Sequence, residues 1–171
     1  ATRSRDGFAF DHGAQFFTAR TPEFVEFLQP FIQSGVVARW DARFAELEGN
    51  RVTVHRQWGA QPAHYVAVPG MNALGKALAA PLDVHRETRV ERLERVTSGW
   101  RLWACDLREL GVYDWVVLAI PAAQAVALLP DGFPGRDSIA ATPMVGCYSL
   151  MLGFEQPLAL PWEAALVTGA D

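Results

Sequence analysis

Cysteine is scarce in this sequence. Cys105 and Cys147 stand far apart, with no Cys-x-x-Cys pair and no Cys/His cluster. That excludes a disulfide framework, gives no metal-ligand spacing, and suits a reducing, cytoplasmic compartment. Long apolar runs are also missing. The longest, Trp115 to Ile120 and then Ala122 to Leu129, is interrupted by Pro121; it reads as a buried strand followed by a helix, not as a membrane span. The opening Ala1-Thr2-Arg3-Ser4-Arg5 has no apolar h-region, so it is no secretory signal. Nor is there a basic stripe. The formal net charge is -4, and Arg86, Arg89, Arg92 and Arg95 are interleaved with Glu87, Glu91 and Glu94. Alternating signs describe a solvated face, so neither nucleic acid nor membrane is expected as a partner. Finally, no Gly-x-Gly-x-x-Gly opens a βα unit: Gly132 and Gly135 sit in a proline-containing loop with no strand immediately before them.

What is present is enough to fold. The chain has 171 residues, 50% apolar and 20% charged, which is globular usage with room for a core. Phe8-Ala9-Phe10 enters Asp11-His12-Gly13, where glycine allows a sharp turn. Thr21-Pro22-Glu23 starts a helix with a capping hydroxyl, a first-turn proline and an acid at the positive end of the dipole. Phe24, Val25, Phe27, Leu28, Phe31 and Ile32 follow at helical spacing; Pro30 should kink or shorten that helix, and Gly35 should stop it.

Val36 to Trp40, Phe44 to Leu47, Val52 to Val54 and His64 to Val68 read as strands, with a turn at Glu48-Gly49-Asn50. Met71, Leu74, Ala77 and Leu78 suit a helix capped by Asn72. Val84 to Val96 should be extended and pair with Trp100 to Cys105 across Ser98-Gly99. Tyr113 to Ile120 carries the strongest strand signal, a continuous and partly β-branched run typical of burial on both faces. Pro130 to Gly135 is a loop and a candidate internal boundary. A helix over Ser138–Ala141 and strands over Gly146–Phe154 and Ala164–Val167 complete the pass. This order of elements makes a mixed α/β layer.

Two sets of residues carry a resemblance. One is Phe10-Asp11-His12-Gly13-Ala14-Gln15-Phe16-Phe17-Thr18-Ala19-Arg20, preceded by Ala1-Thr2-Arg3. The other is Tyr65-Val66-Ala67-Val68-Pro69-Gly70-Met71-Asn72-Ala73-Leu74, then Thr88-Arg89-Val90, Trp100-Arg101-Leu102, and Tyr113-Asp114-Trp115-Val116-Val117-Leu118-Ala119-Ile120-Pro121. In order and spacing they resemble the middle of the renalase-like, FAD-dependent amine oxidase family. The resemblance implies part of a two-domain FAD-binding fold of α/β class, without the Rossmann phosphate loop and with a sheet-plus-helix substrate domain. It assigns 1–15 and 66–124 to the FAD-binding domain and 16–65 and 125–171 to the substrate-binding domain. In that family a glycine-rich phosphate loop lies before the position of Ala1, and a flavin-closing segment after that of Asp171. The chain is therefore expected to be an internal piece, to hold FAD weakly or not at all, to be inactive alone, and to self-associate through an exposed apolar face.

The same resemblance places Gly13, Ala14 and Gln15 against the flavin ring, where small side chains let the backbone approach. It places Val90 at the adenine end of FAD through its backbone, and Ala119, Ile120 and Pro121 at the carboxyl end of a buried strand, the edge where α/β sheets bind ligands. Gly13, Val90 and Ala119 should then share one cleft. Phe16 and Phe17 would wall the substrate, Arg20 would steer an anionic group of it, and Tyr65, with Trp40 and Trp58, would line the substrate side; core packing is the competing role for these aromatics. His12 is a candidate acid or base, although a lone histidine is more often structural, and Asp11 could cap a turn. The implied activity is oxidation of a small reduced substrate, a dihydronicotinamide dinucleotide or an amine, by hydride transfer to FAD with oxygen as acceptor. Hydride transfer between stacked rings needs orientation and dryness more than a strong base. Two alternatives stay open: another FAD enzyme of the superfamily, such as an amine oxidase or desaturase, and a non-catalytic α/β binding domain.

Overall fold

The computed structural model describes residues 2–59 and 62–169, which fall into two compact units. One holds the chain up to Asp83 and again from Ser149; the other holds Val84–Tyr148.

The first unit opens with an antiparallel hairpin of β1 (Thr2–Arg5) and β2 (Phe8–Asp11). Its two-residue turn, Asp6-Gly7, has both residues at positive φ, 51° and 81°, the backbone that matches strand twist in tight hairpins. After β3 (Phe17–Ala19) comes α1 (Pro22–Gln33), and its start is the expected one: the Thr21 hydroxyl accepts from the Phe24 N–H at 3.3 Å, with Pro22 in the first turn. Pro30 lies inside α1 without breaking it, because only three helical residues follow and little ladder is lost. Gly35 at φ 74° ends the turn. Strands β4 (Val37–Arg39), β5 (Arg43–Glu48), β6 (Arg51–Gln57) and β7 (Ala63–Ala67) follow. The two outer strands β3 and β4 flank β7, all antiparallel. Leu28 of α1 packs onto that sheet, forming a small core with Ala19, Val37 and Tyr65.

Helix α2 (Asn72–Ala79) forms where expected, but Asn72 does not cap it. Asn72 is already the first helical residue; the Asp11 carboxylate, sixty residues upstream, accepts from the Met71 N–H at 2.9 Å instead. A nonlocal carboxylate thus replaces the local side chain at the positive end of the helix.

The second unit is a meander of β8 (Val90–Val96), β9 (Gly99–Ala104) and β10 (Glu109–Tyr113), then α3 (Ala122–Leu128) and α4 (Arg136–Ala140). Only the latter half of the Val84–Val96 segment is strand; Glu87 at φ 55° turns the chain before it. The chief correction concerns Tyr113 to Ile120. The ladder ends at Tyr113, opposite Trp100, and Trp115 to Ile120 runs on with no strand beside it among the described residues. Trp115 and Val117 are each 88% exposed. Apolar, β-branched composition expresses a preference for burial between neighbours, and here no neighbouring edge is supplied. Gly146 to Phe154 likewise forms no strand, and Tyr148 and Leu150 stand in solvent. The Pro130–Gly135 loop is not where the units part: it joins α3 to α4 within one of them.

The last strand, β11 (Ala164–Thr168), returns to the first unit and lies parallel to β5, giving the order β11-β5-β6.

Candidate functional site

The unpaired segment after β10 gives the second unit its two clefts. On one side, Val90, Ala119 and Ile120 line a space of about 850 Å³, closed by Leu93 and Leu102 of the meander and by Ala123 and Ala127 of α3. On the other, Trp100, Trp115, Pro121, Phe133 and Ile139 line a space of about 880 Å³. Three expected cofactor residues, Val90, Ala119 and Ile120, are therefore brought together; Ala119 and Ile120 also line the second cleft, where Pro121 joins them just before α3. Charge near the first cleft is confined to Arg89 and Glu91, paired at 3.3 Å. Its lining is mainly apolar, and the backbone from 115 to 119 has no ladder partner among the described residues. A mainly apolar lining beside backbone polar groups outside any ladder suits a heterocycle with a hydrogen-bonding edge, so these residues fit a flavin nucleotide.

In the first unit, Gly13, Ala14 and Gln15 form an exposed link between β2 and β3. The His12 carbonyl next to it accepts from the Ser149 hydroxyl at 2.8 Å. Asp11 is occupied structurally: it also accepts from the Thr2 hydroxyl, so its carboxylate ties the first hairpin to the start of α2. Phe16 enters a ring cluster that the sequence only half revealed. Its centroid lies 4.8 Å from Trp58, 5.2 Å from His64 and 6.0 Å from Trp40, and Trp58 stacks on His64 at 4.1 Å. His64 Nδ1 is buried there without a hydrogen-bond partner. Trp40 and Trp58 were legible as aromatic candidates; His64 was hidden as one alternating residue of a strand. Phe17 stacks on Tyr65 at 5.8 Å, and Tyr65 is only 9% exposed, which puts both rings against the core.

Arg20, exposed, borders a cleft of about 730 Å³ with Thr21, Glu26, Gln29, Arg39 and one edge of Tyr65. Arg39 is engaged by Asp41 at 2.7 Å, whereas Arg20 has no ion pair among the described residues. The helix end beside it is not the anion seat. Pro22 has no N–H, and the Phe24 and Val25 amides are taken by the Thr21 hydroxyl and carbonyl.

The perturbed titrations lie elsewhere. Glu163 accepts from the Arg43 side chain and backbone at 2.6 Å each; the side-chain bond chiefly lowers the Glu163 pKa and raises that of Arg43. Asp106 is lowered, first by the backbone N–H of Arg108. Both are surface turns or latches rather than parts of a cleft. No group of three His, Cys, Asp or Glu residues among the described ones could hold a metal ion, and no described helix is long and apolar enough to cross a membrane.

Largely apolar clefts beside a strand-and-helix layer belong to a mixed α/β protein and suit an organic ligand. The family model for flavin containing amine oxidoreductase matches residues 34–169. The chain belongs to that family, which makes its parent activity an oxidoreductase one and implies a flavin cofactor.

Proposed function

We propose that the chain is part of a renalase-like flavoprotein that oxidises a small reduced substrate, of dihydronicotinamide or amine type, by hydride transfer to FAD with oxygen as final acceptor. The observation that carries the cofactor half is the single cleft shared by Val90, Ala119 and Ile120. FAD, when bound, supplies the two-electron acceptor. The chain's own residues bind the cofactor and exclude water: Val90 and Ala119 border the cofactor cleft, Gly13 and Ala14 offer small side chains, and the 13–15 stretch offers backbone amides. In this scheme 1–15 and 66–124 serve the cofactor, and 16–65 and 125–171 serve the substrate. Phe16 and Phe17 give the substrate side its apolar wall. Arg20, free of carboxylate partners among the described residues and beside an open cleft, holds an anionic group of the substrate. Tyr65 contributes only the edge it shows to that cleft.

Among the described helices α4 alone is capped by glycine, Gly135, and it has only five residues with no strand leading into it; this chain alone is expected to hold FAD weakly. Titrating FAD into the purified chain while following flavin fluorescence tests the assignment. Weak, saturable quenching that Ala119→Trp abolishes is the expected result. Quenching that the filled cleft leaves unchanged would remove Val90, Ala119 and Ile120 from the cofactor site. For the substrate, the FAD-loaded parent protein is mixed anaerobically with a dihydronicotinamide dinucleotide. Bleaching of the visible flavin band is expected, with Arg20→Ala raising the concentration needed about tenfold, the loss of one charge-assisted contact. No bleaching by either a dihydronicotinamide or an amine would sink the proposal.

A further inference from the structure

Beside α1 the sheet it covers is left partly open. Leu28 of the helix packs with Val37 and Tyr65, but Ala19 of β3 stands opposite Ala63 of β7, and two methyl groups there leave a gap that larger side chains would fill. This gap is the cleft of about 730 Å³ already described, a size ordinary for an organic ligand. Val25, Glu26 and Gln29 of α1 line one part of it, and Arg20 and Arg39 another.

The charges in this cleft do not cancel one another. Glu26 and Arg20 border the same space, yet neither is in an ion pair among the described residues. Arg39 gives its Nε to Asp41 at 2.7 Å, and no other bond of its guanidinium occurs among the described residues. A simple anion would be attracted by the two arginines and repelled by Glu26. The lining therefore suits a ligand with an anionic group and, apart from it, hydrogen-bond donors. Gln29 follows Glu26 by three residues, so the two side chains are neighbours on one face of α1. A carboxylate beside a carboxamide oxygen accepts from two adjacent hydroxyls, and an acid is the usual partner of a nucleotide ribose. Val25 and the edge of Tyr65 add apolar surface for a ring.

We infer that this cleft holds the ribose phosphate of a 5′-nucleotide, with the phosphate on Arg20 and Arg39 and the ribose hydroxyls on Glu26 and Gln29. Resting on the function proposed above, this makes the occupant the outlying half of a dinucleotide substrate. Distance favours that half over the reacting ring. The strand β3 separates Arg20 from the 13–15 link, and its three extended residues advance about 10 Å. A small amine held at the link falls short of Arg20, whereas a dinucleotide spans the interval.

The purified chain, free of FAD, is titrated with uridine 5′-monophosphate, its 2′-deoxy analogue and inorganic phosphate while the amide resonances of β3 and α1 are followed by NMR. Saturable shifts with the ribonucleotide are expected, and the deoxy analogue should bind several-fold more weakly. Arg20→Ala should weaken the ribonucleotide about tenfold, the loss of one charge-assisted contact. Glu26→Ala should also weaken the ribonucleotide but strengthen inorganic phosphate, because one carboxylate accepts from a hydroxyl and repels a bare anion. Both side chains are exposed, so far-ultraviolet dichroism should not change. In the FAD-loaded parent, Glu26→Ala should raise the concentration of dihydronicotinamide dinucleotide that bleaches the flavin and leave that of the mononucleotide unchanged. No saturable shift overturns the inference. So does a Glu26→Ala chain that binds the ribonucleotide as tightly as the unaltered one, which would leave an anion site only, and so does an equal effect on dinucleotide and mononucleotide. Binding is read without flavin, so absent nucleotide binding with bleaching intact rejects this site alone, and absent bleaching with nucleotide binding intact rejects the oxidation alone.

Discussion

Asp11 shows how much one carboxylate can organise. Its two oxygens serve two elements, the Thr2 hydroxyl in the first hairpin and the Met71 amide ahead of α2. Asp11→Ala should therefore cost about 1–3 kcal/mol, the range for a part-buried bond to a charged acceptor, seen as a lower midpoint in urea unfolding. Asp11→Asn should recover part of it, since one amide oxygen can still accept. Glu163 works through the same physics at the surface. Its pKa is depressed, mainly by the Arg43 side chain. A depressed carboxylate contributes stability above its unfolded value, near about 4.3, and loses it as pH falls through the lower folded value. Protection of the β11 amides, corrected for the intrinsic pH dependence of exchange, should be higher at neutral pH and fall in acid below that point. Glu163→Gln should show the lower protection already at neutral pH and little further change on acidification.

At the level of elements, the second unit depends on how closely its strands approach. Gly99 begins β9 at φ 145°, and a Cβ there would overlap the Tyr113 carbonyl oxygen at the end of β10. Gly99→Ala is expected to cost about 2 kcal/mol or more through backbone strain and the parting of these strands. A thermal melt followed by tryptophan fluorescence, sensitive to Trp100 and Trp103, checks this. Gly49→Ala meets no neighbouring atom and keeps only the strain of φ 60°, so a smaller loss is expected there. Elements with local signals were legible in advance. Thr21-Pro22-Glu23 set the start of α1, and Glu48-Gly49-Asn50 set the β5–β6 turn, because caps and tight turns depend on neighbours in the chain. The α2 start was misread because its acceptor comes from sixty residues away, and Gly146–Phe154 was misread because apolarity does not supply a pairing edge.

Across the whole molecule, the buried core is small beside the apolar surface. Leu28 and Val37 are the largest fully buried side chains, while Trp115, Val145, Tyr148 and Leu150 are largely solvated. A folded chain of this kind should brighten the apolar dye ANS at neutral pH while keeping cooperative unfolding. Dye binding that is absent at all concentrations would mean that these side chains are covered within the monomer.

Composition, turn chemistry and periodicity determined the mixed α/β character, the first helix and the β5–β6 and β8–β9 hairpins; the flavoenzyme resemblance rested on particular residue motifs, and the family match to residues 34–169 supports it at the broader level. Those properties follow from residue type and from contacts a few positions apart. Only the tertiary structure decided that Val90 meets Ala119 and Ile120 in one cleft, that His64 stacks on Trp58, that Tyr65 belongs largely to the core, and that the most strand-like run has no strand partner among the described residues. Pairing and cleft formation depend on which distant edges are available, and no local pattern encodes that.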